Sequence, residues 1–136
     1  MVRPVLLVAA AVAWVGWAAP AQAESPVGFT SPSGNIGCYV DYDYVRCDIA
    51  ERDWAPPPRP ADCEFDYGQG ISFGAEAPAA FVCAGDTTLW AGEPLEFGQT
   101  VGAGPMLCTS LESGVTCHDT ITGAGFTISR QAYELF

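Results

Sequence analysis

Apolar residues fall into two regimes along this chain. Over residues 5–17 they run almost without interruption, whereas beyond Glu24 they come in short clusters that alternate with polar residues and are punctuated by Gly and Pro. The alternation is clearest over residues 36–49, IGCYVDYDYVRCDI. A period of two places successive side chains on opposite faces of a strand, so Ile36, Cys38, Val40, Val45, Cys47 and Ile49 share one face, and Tyr39, Asp41, Tyr44, Arg46 and Asp48 share the other. With Tyr42 and Asp43 at the tip of a hairpin, residue 41 faces 44 and Cys38 faces Cys47. A four-residue loop over residues 41–44 keeps the same register. The first set reads as core and the second as a wet face. Upstream, Ser31-Pro32-Ser33-Gly34 suits a type I turn, with Pro second and Gly fourth.

The same figure recurs over residues 108–119, CTSLESGVTCHD. Its faces are less cleanly sorted, because Leu107 and Leu111 fall opposite Cys108, Val115 and Cys117, and it reads as a strand pair covered on both faces. Further short β-like runs occupy residues 70–73, 80–83, 87–90, 95–97 and 126–130, separated by turn signals. The pattern predicts an all-β fold, a small disulfide-braced sandwich or barrel built from short antiparallel hairpins. No helical periodicity follows the leading apolar run, and residues 130–136 are expected to form one closing turn.

The leading run changes the picture of where the chain works. Met1-Val2-Arg3 carries one positive charge, residues 5–17 have the length of a signal-peptide core, and Ala21-Gln22-Ala23 fits a small-x-small cleavage site. Residues 1–23 are therefore expected to be a cleaved secretory signal peptide, and residues 24–136 a single secreted, disulfide-bonded β domain, extracellular or associated with the cell envelope. The apolar run is short of the roughly 20 residues a membrane span needs, and no later stretch is longer, so no transmembrane segment is expected in the mature chain.

All six cysteines follow the leader, an even number in an exported chain, which reads as three disulfides. Spacing narrows the pairings. Eight residues lie between Cys38 and Cys47, and eight between Cys108 and Cys117, leaving Cys63 for Cys83. In the hairpin register the 38/47 pair is non-hydrogen-bonded, with Cα atoms about 4.5 Å apart, at the close end of disulfide reach. Zinc is excluded, since no Cys-x-x-Cys occurs and His118 is the only histidine. No metal and no cofactor is expected.

Charge removes further classes. Sixteen acids stand against five basic residues, all arginine, for a net charge of −11. Nucleic acid and anionic lipid, which are bound through clusters of Lys and Arg, are thereby excluded as partners. Without lysine there is no Ser-Lys hydrolase, Schiff-base chemistry or P-loop. In a strand His118 and Asp119 point to opposite faces and form no dyad, and no Gly-x-Ser-x-Gly elbow is present. Clustered carboxylates leave a small secreted hydrolase as the alternative function.

Three features bear on binding. Tyr39, Tyr44 and Arg46 share the wet face, and Tyr with Arg is the composition of protein-interface anchors and sugar-stacking surfaces. The segment WAPPPRP, residues 54–60, has polyproline II character and reads as a stiff connection. Asp62, Glu64 and Asp66 would share one face of a strand and read as solvated acids. The expected function is a non-enzymatic binding module for a protein or glycan. Oligomeric state has no signature in the sequence.

FTSPSGNIGC, VRCDI, WAPPPRPADCEFDYG and GAGFTISRQAYELF resemble the motifs of a family of small secreted actinobacterial proteins of unknown function. The resemblance covers nearly all of residues 29–136. It implies export and the cysteine framework, and it carries no catalytic or binding residues with it.

Overall fold

The computed structural model describes residues 26–136, together with Val2, residues 9–13 and Gly16. The cleavage point after Ala23 and most of the expected leader lie outside the described residues. Eleven strands follow in chain order: β1 (Val27–Thr30), β2 (Ile36–Val40), β3 (Tyr44–Ile49), β4 (Tyr67–Gly74), β5 (Ala77–Cys83), β6 (Glu93–Pro94), β7 (Thr100–Ala103), β8 (Met106–Leu111), β9 (Gly114–Asp119), β10 (Gly125–Ile128) and β11 (Tyr133–Leu135). Among the described residues no helix is long and apolar enough to cross a membrane.

The strands form two sheets, ordered β5-β4-β3-β2-β1-β6 and β11-β10-β9-β8-β7. Apart from β6, which runs parallel to β1, every pairing is antiparallel between consecutive strands. Each sheet therefore contains a five-strand meander, to which β6 adds a sixth strand in the first sheet, and the second meander repeats the order of the first. The two pack face to face as an all-β sandwich. Cys38 faces Cys47 across β2 and β3, and Cys108 faces Cys117 across β8 and β9, so a disulfide joins the second strand to the third in both meanders. Both pairs have Cα atoms 4.1 Å apart. A third disulfide joins Cys63 to Cys83.

Alternation explains the core. Val40, Val45, Ile71 and Phe73 from one sheet and Met106, Val115, Phe126 and Ile128 from the other are almost wholly buried. Phe73 and Phe126 meet edge to face with ring centroids 5.7 Å apart, and the two hairpin disulfides touch across the middle, Cys47 Sγ lying 3.8 Å from Cys117 Sγ. Trp54 seals one open side. Its ring packs edge-on against Phe81 of β5 and Tyr133 of β11, and its indole N–H donates to the Ser129 carbonyl at 2.8 Å.

Several expectations of detail are corrected. Residues 87–90 and 95–97 are not strands. Residues 130–136 do not coil into a closing turn; Ser129 and Ala132 close a tight turn through reciprocal hydrogen bonds, and β11 then pairs with β10, satisfying the edge that β10 would otherwise expose. The second hairpin is not covered on both faces, for Leu111 is 39% exposed. At the tip of the first hairpin Asp41 and Tyr44 exchange backbone hydrogen bonds around Tyr42 and Asp43. Neither tip residue has positive φ, so the turn is not type I′. The Asp41 carboxylate accepts from the Tyr42 N–H at 2.8 Å and steadies it.

Candidate functional site

On the outer face of the first sheet, the pairings Gly28–Tyr39–Arg46–Ser72 and Thr30–Gly37–Asp48–Gly70 set side chains in two adjacent rows. Gly28, Gly37 and Gly70 leave those rows open. A Cβ on Gly37 would collide with Thr88 and Leu89, one on Gly28 with Ala91, and one on Gly70 with Asp48. Gly28 and Gly37 thus form a trough in which residues 88–92, the last part of the connection out of β5, lie, while Gly70 makes room for the Asp48 side chain.

The supposed wet face is therefore partly covered, which is a correction. Arg46 is only 7% exposed and Asp48 1%. Arg46 lies in a fork between two acids: Nε and Nη2 donate to Asp48 Oδ1 and Oδ2 at 2.9 and 2.8 Å, and Nη1 donates to Asp86 Oδ1 at 2.8 Å. Nη2 also donates to the Asp86 carbonyl at 3.0 Å. Thr88 fastens the connection one step further along. Its N–H donates to Asp48 Oδ2 at 3.1 Å, while its hydroxyl donates to the Gly37 carbonyl at 2.6 Å and accepts from the Asp48 N–H.

The charges follow from this geometry. Burial works against the guanidinium of Arg46, yet its hydrogen bonds to Asp48 and Asp86 more than offset that cost, and its pKa is raised. The hydrogen bond from Arg46, reinforced by its charge, holds the Asp86 carboxyl below the ordinary range. Partial burial, then the charge of Asp41 and the 3.3 Å hydrogen bond donated to it, push the Tyr39 phenol up. At neutral pH the phenol is protonated and donates.

Tyr39, Tyr44 and Arg46 do come together. With Asp86, Thr88 and Ala91 they line a depression of about 430 Å³. Arg46 forms part of its floor, with most of its donors committed to Asp48 and Asp86. Tyr39 is half-buried, and Tyr44, at 37% exposed, stands at the rim. Beside Ala91 on the same connection, Trp90 is 88% exposed. The pattern of alternation offered no sign of Asp86, Thr88 and Trp90, since they lie in a connection and meet the sheet only through folding. The glycines at outward-facing positions of β1, β2 and β4 were the available signal.

The other candidates are dispersed. Asp62, Glu64 and Asp66 lie in an exposed loop, not on a strand. His118 is half-buried while Asp119 is buried, accepting the Ile121 N–H at 2.8 Å to hold the β9–β10 turn, so the two do not act together. Among the described residues the one close grouping of metal-ligating types is Cys38, Cys47 and Cys117, whose sulfurs are all in disulfides and hold no thiolate for a metal. Residues 54–60 form an extended strap, with Pro56 seated against Gly68. No curated protein and no solved structure matches the chain. A family model matches residues 7–136, and the chain belongs to that family, the family of unknown function DUF6636.

Proposed function

We propose that this protein is a secreted, non-enzymatic binding module that engages a protein or glycan outside the cell or in its envelope, through the tyrosine-lined depression. The observation that carries the reading is the pairing of exposed aromatics with a rigid floor. Tyr44 and Trp90 stand out from backbone that Arg46, Asp48 and Thr88 fasten to the sheet. Aromatic side chains on a backbone fixed before binding spare the cost of ordering that backbone on contact, and they present both an apolar face and a polar edge. Three disulfides are compatible with an oxidising, extracellular setting. The hydrolase alternative has less behind it. The acids that converge here, Asp48 and Asp86, are both bound by Arg46, and Asp86 is held low where a general acid must be raised.

Tyr44→Ala tests the reading. Affinity for a ligand captured from envelope polysaccharides and proteins should fall by about 2 kcal/mol or more, while the melting temperature changes little because the ring is already exposed. Unchanged affinity for every captured ligand, measured by calorimetry on the folded variant, would remove the depression from consideration.

A further inference from the structure

The described chain has four arginines, and their partners divide them into two pairs. Arg46 is tied to Asp48 and Asp86, and Arg130 to Glu51 and Asp53. Among the described residues Arg52 and Arg59 make no ion pair, in a protein where acids outnumber bases by more than three to one. Both line the same cavity, about 490 Å³, between the strap and the start of β4.

Each guanidinium is held in place without a carboxylate. Arg52 lies over the Trp54 ring at 4.8 Å and donates through Nη1 to the Gly68 carbonyl. Arg59 donates through Nε to the Cys63 carbonyl at 2.9 Å, which leaves both of its terminal nitrogens uncommitted. The strap, which begins just after Arg52 and carries Arg59, is stiffened by Pro56, Pro57 and Pro58 and continues into the Cys63–Cys83 disulfide. Tyr67 and Gln69 line the cavity too. The Gln69 amide nitrogen donates to the Asp86 carbonyl, so its oxygen is left as an acceptor for a hydroxyl.

We infer that this cavity binds the carboxylate of a sugar acid, with Arg52 and Arg59 taking the carboxylate and Tyr67 and Gln69 facing the ring hydroxyls. Guanidinium groups match a carboxylate with parallel N–H donors. Charge selects the size of the anion. Asp66 also lines the cavity, and the net charge of −11 opposes phosphate and other multiply charged ligands more than a single carboxylate on a neutral ring. The cavity shares no lining residue with the tyrosine depression, which it adjoins through the Gln69 bond to Asp86, and the inference does not rest on that site.

Arginine-selective isotope labelling makes the test local. On titration with glucuronate the Nε–Hε resonances of Arg52 and Arg59 should move together and saturate, those of Arg46 and Arg130 should stay in place, and glucose should move none of them. Arg59→Gln, at an exposed position, should weaken binding by about tenfold or more in a protein that keeps its melting temperature. Arg52→Lys, which keeps the charge and loses the fork, should also weaken it. Equal movement of all four arginines, a response to glucose equal to that of glucuronate, tighter binding of inorganic phosphate, or unchanged affinity in Arg59→Gln would each overturn the assignment.

Discussion

A guanidinium can serve a partner or its own chain, and at Arg46 the destination of its donors decides between them. Two acids and a backbone carbonyl take them, at 2.8 to 3.0 Å; the guanidinium and Asp48 are almost closed to water, and Asp86 lies on the solvent side. Arg46→Ala would leave the Asp48 carboxylate buried without its cation, a change that costs about 3 to 5 kcal/mol in comparable buried pairs. Val40→Ala, which removes apolar volume from the core, should cost about 1 to 3 kcal/mol. Chemical denaturation should therefore rank Arg46→Ala as the more damaging, with Tyr44→Ala well below both. An Arg46 variant as stable as the wild type would return this residue to the role of a free recognition group. Alternation placed Tyr39, Tyr44 and Arg46 on one face correctly, because strand geometry is local. It could not show that Arg46 is covered, because the cover comes from Asp86 and Thr88, some forty positions further along the chain.

Elements show the same division between local and distant causes. The two hairpins were legible from eight-residue cysteine spacing and period-two patterning, and their cross-strand registers are those that the spacing requires. Strands β1, β7 and β11 are only three or four residues long and offer too few positions for alternation to register. Residues 87–90 have the β-prone composition of a strand, yet Thr88 is drawn to the glycine trough, where its hydroxyl and N–H find partners on β2 and β3. The three disulfides differ in access. Cys38, Cys47, Cys108 and Cys117 are fully buried, whereas Cys83 is exposed and Cys63 is at the edge of burial. Exchange requires a thiolate to reach a sulfur, so mild reductant acting on the native protein should open Cys63–Cys83 first. Opening that ring of about 21 residues should cost roughly 3 kcal/mol by loop entropy. Alkylation and peptide mapping after brief reduction checks the order, and early labelling of Cys108 or Cys117 would contradict it.

At the scale of the whole molecule, the meander order of β1–β5 recurs in β7–β11, and CYVDYDYVRCD and CTSLESGVTCHD supply the stapled hairpin at the corresponding place in each. Neither half contains a core of its own. Met106, Cys108, Val115, Cys117, Phe126 and Ile128 are at most 1% exposed because the opposite sheet covers them. A single sheet has only one face to bury and needs a second layer to bury it against. The second half is also small, near the length of about 40 residues below which a chain usually needs further support to fold, and the lone disulfide between β8 and β9 fixes a hairpin without supplying that layer. A peptide of residues 99–136 with Cys108–Cys117 formed should therefore show narrow amide dispersion and no cooperative melting. Adding an oxidised peptide of residues 26–98 should restore both, since the apolar faces that meet around Cys47 and Cys117 then have their partners. A cooperative transition in the shorter peptide alone would mean that each meander is stable by itself, and that the contact between the two staples is a consequence of folding, not a condition for it.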